Sequence, residues 1–175
     1  MIDIKRGGKY YRVFKPEWSD PLDPAFAKRH GGRWTPRGEF GAVYLNASID
    51  VAAANARCSH ARRAVGLFDL RPDRRPWLME VDVPTRHVVD VVTPSGIAAA
   101  GLPKTYPLGA SHSTCWPIAR RAYADMDEAG IASLSNAECT PLHCVGEELA
   151  WFDRSQPVTE IAKRDFASWY PGPIP

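Results

Sequence analysis

Apolar positions fall into two rhythms along the chain. The runs "YYRVF" (residues 10–14) and "GAVYL" (residues 41–45) are rich in aromatic and β-branched residues and predict strands. In "LMEVDV" (residues 78–83), Met79, Val81 and Val83 alternate with Glu80 and Asp82, the two-residue period of a strand with one wet face. Further strands are predicted over residues 88–92, 131–134 and 146–153. A helical period follows Ser48, with Ile49, Ala52, Ala53, Ala56 and His60 on one stripe. Ser48 suits the N-cap and Asp50 the first turn, so a helix is predicted from residue 49 to about 65, stopped by Gly66. A short helix in "TPSGIAAAGLP" stops at Gly101. Another is predicted over about residues 115–129, capped by Thr114, with Pro117 in its first turn and Ile118, Ala122, Tyr123 and Met126 as its apolar side. Residues 15–34 carry Pro16, Pro21 and Pro24 among Asp and Ser, which predicts a long ordered loop with room for one helical turn. The tail beyond residue 155 reads as extended.

Strands interleaved with a few helices, without repeats or a linker, predict a single α+β domain over residues 1–175, with its core at about 10–155 and a tail at 156–175. Such a length buries a core without staples. The hydrophobic content of 45% and charged content of 24% are those of a globular chain. A net charge of +2 makes nucleic-acid binding the weakest reading, and the Arg-rich groups around Arg33, Arg62 and Arg74 read as solvated faces. Residues 1–12 hold no apolar leader core and no run suits a membrane-spanning helix, so a cytoplasmic location and no membrane partner are expected. In that compartment Cys58, Cys115, Cys139 and Cys144 are expected as free thiols. The spacing of Cys139, His143 and Cys144 is half a zinc site with no second pair nearby, so no metal is expected.

Glycine-rich phosphate loops, a GxSxG elbow and an HExxH helix are all absent. What remains is arginine beside glycine turns and aromatic rings. Arg12 sits mid-strand where a buried guanidinium needs a partner. Arg33 follows Gly31 and Gly32, whose backbone can approach a ligand closely. A guanidinium forks onto phosphate, and Trp34 and Tyr44 could stack on a ring. Equally, Arg12 and Arg33 could pair with Asp20, Asp23 or Glu39 and merely brace the loop.

From Tyr10 to Ser155 the chain resembles the RES domain family, the toxin component of bacterial RES–Xre toxin–antitoxin pairs. "YYRVF" with "DPLDPAFAKRHGGRW" is similar to the family's opening arginine and Gly-Gly-Arg-Trp motif, and "GAVYLNASIDVAAAN" to its strand and Ala-rich helix. "SHSTCWPIARRAYADMDEAGIASLSNAE" and "GEELAWFDRS" resemble its two serine segments and final strand. The resemblance implies a fold related to ADP-ribosyltransferases, with a mixed or antiparallel sheet core and a few flanking helices. It implies NAD as substrate, cleaved at the nicotinamide–ribose bond by hydrolysis or phosphorolysis or with ADP-ribose transfer to a protein acceptor, and an Xre-like antitoxin as partner. By residue it implies Arg12 and Arg33 at the pyrophosphate, Trp34 and Tyr44 at the nicotinamide end, and Ser113 and Ser135 hydrogen-bonding the ligand.

The family glutamate is the departure. Eleven residues beyond Tyr44, where the resemblance places it, this chain has Asn55. Breaking the nicotinamide bond develops positive charge on the ribose, which a carboxylate stabilises and an amide does not. Glu39, Glu147 or Glu148 could compensate, and Asn55→Glu is expected to raise activity; alternatively, the chain is a catalytically weakened module that binds a nucleotide or a partner.

Overall fold

In the computed structural model, residues 1–61, 63–125, 127–140 and 143–171 are described, His143 by its backbone alone. The architecture is α+β: a six-stranded mixed sheet with five helices around it. Strand β1 (Asp3–Phe14) runs antiparallel along β3 (Trp77–Val91) for nearly its whole length. The other edge of β3 carries two shorter partners. Residues 89–91 pair in parallel with β4 (Gly130–Leu134), and residues 78–82 pair antiparallel with β8 (Thr159–Arg164). Strand β7 (Glu147–Phe152) joins β4 to β2 (Ala42–Asn46), both antiparallel. The sheet then curls far enough for β2 to meet β1 again through one register pair, Tyr11 with Asn46.

The two-residue period of these strands builds two cores at once. In β7, Leu149 and Trp151 pack with Tyr10, Val43, Leu45, Val81, Val83 and Val88 on one face. Ala150 and Phe152 face Ile131, Val89 and Val91, together with Ala119 and Ala122 of α4 (His112–Asp125), on the other. Helix α2 (Ile49–His60) uses Ala52, Ala53 and Ala56 to come close to Leu78 and the aromatic end of the chain, Phe166, Trp169 and Tyr170. Ser48 caps α2, its hydroxyl accepting from Val51 N at 3.2 Å.

Several expected boundaries change. β1 begins at Asp3, well before residue 10. Helix α2 ends at His60 instead of running to residue 65, because Ala64 and Val65 are exposed and give a further turn no face to pack. The two strands expected on either side of Pro84 are one. Pro84 donates no ladder bond, and β1 answers with a register shift at Gly7–Gly8, where Gly8 has φ +81° and a Cβ on Gly7 would lie 2.5 Å from Thr85 Cα. Helix α4 starts at His112, with the Ser111 hydroxyl rather than Thr114 in the capping role, accepting from Thr114 N at 3.2 Å. It ends at Asp125, and Met126, expected on its apolar side, lies outside the described residues.

The tail is not simply extended. It adds β8 and a short helix α5 (Phe166–Trp169), which the sequence hides because β8 is an exposed edge strand with no buried alternation. The residues after Pro171 lie outside the described part. Cys139 and Cys144 are not free thiols: they are bonded to each other. They stand opposite in register on the hairpin of β5 (Cys139–Thr140) and β6 (His143–Cys144), which brings their Cα atoms to 4.2 Å. Cys58 and Cys115 remain free.

Candidate ligand-binding cleft

A cavity of about 480 Å³ opens where β1 and β2 part beyond their single register pair. That size is ordinary for a ligand site. Arg12 and Phe14 of β1, Tyr44 and Asn46 of β2, Asn55 and His60 of α2, the Gly31–Arg33 turn and Glu148 of β7 all line it.

Arg12 spans the gap, its Nη1 donating to Tyr44 O at 2.8 Å, with its guanidinium 5.8 Å from the Trp18 ring centre. It is only 8% exposed, and its Nε is buried without a hydrogen-bond partner among the described residues. Burial pulls the guanidinium down to about 10, against a smaller upward pull from Asp20 and Asp23, so it stays charged at neutral pH. Neither Asp20 nor Asp23 pairs with it. Their carboxylates instead accept from Leu22 N and Ala25 N, each at 2.8 Å, and hold the loop into α1 (Ala25–His30).

The Gly-Gly-Arg-Trp turn is fixed from three sides. Gly31 ends α1 with φ +78°, its N–H donating to Ala27 O at 2.7 Å. Gly32 lies so close to the Tyr44 hydroxyl that a Cβ there would sit 2.5 Å from it. That hydroxyl accepts from Trp34 N at 2.8 Å and meets Thr35 Oγ1 at 3.1 Å, while Trp116 Nε1 donates to Gly32 O at 3.0 Å. Burial pushes the Tyr44 phenol up to about 12, so it works as a neutral hydroxyl. Arg33 is thereby held at the cavity wall, with Nη1 donating to Leu134 O at 3.2 Å.

Two residues expected at the ligand stand elsewhere. Trp34 is 1% exposed and packs in the core, its indole N–H donating to Ser133 Oγ at 3.0 Å, so its ring has no face for a ligand. It anchors the turn that carries Arg33. Ser113 is exposed on α4, its hydroxyl 2.7 Å from that of Ser111, and does not line the cavity. Ser135 is brought in, but behind the wall: fully buried, it donates to Glu148 Oε1 at 2.8 Å.

Asn55 lines the cleft and donates both amide hydrogens, to Asn46 Oδ1 at 2.7 Å and to Glu148 Oε1 at 2.6 Å. The three carboxylates named from the sequence separate cleanly. Glu39 pairs with Arg120 at 2.7 Å on the surface, and Glu147 takes a fork from Arg6 at 2.7 and 2.8 Å; only Glu148 reaches the cavity.

Sequence reasoning missed Lys15, Trp18, Ser59, His60 and Arg63 as lining residues. Asn55, Ser59 and Arg63 recur at every fourth position, a polar stripe along α2 and its end that a helical reading could have flagged. Burial, and then Arg63 and Lys15, hold the His60 imidazole below its usual value. Among the described residues no group of three or more His, Cys, Asp or Glu could hold a metal, and no helix is long and apolar enough to cross a membrane.

The fold is shared with a solved structure. A chain of the M. tuberculosis MbcT–MbcA toxin–antitoxin complex superposes with a TM-score of 0.74 at 22% identity, over 93% of this chain and 86% of that one. No curated protein matches the sequence. The RES domain matches residues 9–165, from the middle of β1 to the end of β8, and the chain therefore belongs to the RES domain family.

Proposed function

We propose that the protein is an NAD-consuming toxin of a toxin–antitoxin pair, acting at the nicotinamide–ribose bond on an ADP-ribosyltransferase-like scaffold. The observation that carries this reading is Arg12: a buried cation with an unsatisfied Nε at a cavity that a second arginine, Arg33, also lines. A buried guanidinium without a protein anion is costly unless a ligand supplies one, and a diphosphate fits two guanidinium forks. Family membership points to NAD, and the fold shared with a chain of a toxin–antitoxin complex points to an antitoxin partner.

In this reading Arg12 and Arg33 take the pyrophosphate. The Tyr44 ring borders the nicotinamide end, its hydroxyl being committed to the turn. Asn55 offers its amide oxygen to a ribose hydroxyl, since both its hydrogens are spent. The acceptor is water, phosphate or a protein side chain. Calorimetry with NAD and ADP-ribose, together with nicotinamide release by the purified protein, tests the reading. Binding and release are expected for the wild type, with ADP-ribose affinity falling at least about 100-fold in Arg12→Ala. Neither binding nor release in the wild type overturns it. The gene beside this one is expected to encode the antitoxin, and co-expression of the pair is expected to relieve toxicity.

A further inference from the structure

We infer that Glu148 is the carboxylate that serves the reaction in this cleft, delivered from the sheet by β7 with Asn55 and Ser135 as its positioning residues. The inference rests on the NAD reading above. Glu148 is the one carboxylate among the described residues that lines the cavity. Its neighbour Glu147, on the other face of the strand, shows what a structural carboxylate does here. It takes two bonds from Arg6 and a third from the Tyr10 hydroxyl at 3.2 Å, and so is fully neutralised.

Glu148 is treated differently. Four cations, Arg12, Lys15, Arg33 and Arg63, line the same cavity, yet no Arg, Lys or His among the described residues stands within ion-pair distance of it. Two uncharged donors hold it instead, and both act on one oxygen: Asn55 Nδ2 at 2.6 Å and Ser135 Oγ at 2.8 Å reach Oε1. Oε2 has no protein partner among the described residues. The side chain is thus held in position with one oxygen free.

The chain of donors behind it explains why position 55 is an amide. Asn46 Nδ2 donates to Tyr11 O at 3.0 Å, which turns Asn46 Oδ1 towards α2. The residue at 55 must then donate twice, to Asn46 Oδ1 and to Glu148 Oε1. Asparagine has two hydrogens on one nitrogen for this, whereas a carboxylate has none. A glutamate on the strand and an asparagine on the helix therefore form one unit, in which the charge is carried by β7 and the donors by α2 and Ser135.

In the reaction, the bond between nicotinamide and ribose C1′ breaks with its electron pair leaving on the nicotinamide nitrogen, which neutralises the pyridinium. The positive charge passes to the ribose, where the Glu148 carboxylate stabilises it. When water is the nucleophile, its oxygen lone pair forms the new bond to C1′. The carboxylate accepts the water's surplus proton and releases it to solvent.

The test measures nicotinamide release, ADP-ribose affinity and the pH dependence of kcat in the wild type, Glu148→Gln, Glu148→Ala and the surface control Glu39→Gln. Glu148→Gln is expected to lose at least about 100-fold in kcat while its ADP-ribose affinity stays within a few-fold of wild type. The fall of kcat on the acid side, where a carboxylate protonates, should disappear with it. Added formate should restore part of the turnover of Glu148→Ala, which a merely structural loss would not allow. The double variant Glu148→Gln with Asn55→Glu, which moves the carboxylate across the 2.6 Å contact, should recover more than Glu148→Gln alone. Wild-type kcat and an unchanged acid limb in Glu148→Gln overturn the inference alone. An inactive Glu148→Ala that formate does not rescue, joined to a double variant no better than Glu148→Gln, also overturns it. A wild type that neither binds nor cleaves NAD overturns the nucleotide reading and this inference with it.

Discussion

Asn55→Glu separates the sequence reading from the structural one. Read from the resemblance alone, the substitution restores a missing acid and should raise activity. In the structure it removes the amide that donates to Glu148 Oε1 at 2.6 Å and to Asn46 Oδ1 at 2.7 Å, and sets a carboxylate, on a side chain one methylene longer, against both acceptors. Both bonds become contacts between acceptors. Asn46 cannot turn its amide to help without giving up the bond from its Nδ2 to Tyr11 O at 3.0 Å.

Two ionised carboxylates relaxed to roughly 4 Å repel by about 4 kcal/mol at an effective dielectric near 20. The pair escapes most of this by holding a proton, which raises the pKa of one member. Adding an unsatisfied acceptor at Asn46, the net loss at pH 8 comes to about 2–4 kcal/mol. At roughly 2–4 °C per kcal/mol for a chain of this size, that is a fall in melting temperature of about 4–16 °C. The sign with pH follows from the raised folded-state pKa. The stability tied to the shared proton is present below the unfolded carboxylate value and is lost as pH rises through the folded one. The deficit against wild type should therefore be small near pH 4.5 and full at pH 8. Thermal melts at the two pH values, with nicotinamide release at pH 7.5, are the assay. A variant as stable as wild type at pH 8, or more active than wild type, would refute the reasoning.

Two further outcomes follow from the geometry. Gly32→Ala puts a Cβ 2.5 Å from the Tyr44 hydroxyl and 2.8 Å from Thr35 Oγ1. It should destabilise by about 1–3 kcal/mol in urea unfolding. Part of that loss should disappear in a Tyr44→Phe background, whereas additive losses would show that the two do not meet. Thiol titration of the protein denatured without reductant should find two reactive cysteines, Cys58 and Cys115, rising to four after reduction. Four at the outset would show that Cys139 and Cys144 are unpaired.

Local chemistry determined much of this protein. Short apolar runs marked the buried strands β2, β4 and β7, because side chains on both faces of each are packed. Ser48 marked the start of α2, and the glycines marked the turn that presents Arg33. Arg12, isolated in a core strand, was legible as a cation in need of a partner.

What stayed hidden depends on which distant segments meet. β8 has no apolar rhythm of its own and exists because β3 offers it an edge. Trp34 and Ser113 have the composition of ligand contacts, but Ser133 in the core holds one and α4 presents the other to solvent. Glu147 and Glu148 are indistinguishable as letters. Strand alternation turns one to Arg6 and the other to the cleft, and only the return of β7 beside α2 brings Glu148 against Asn55, 93 residues away in sequence. A substitution that reads as the loss of an acid is, in three dimensions, the donor that a neighbouring strand's acid requires.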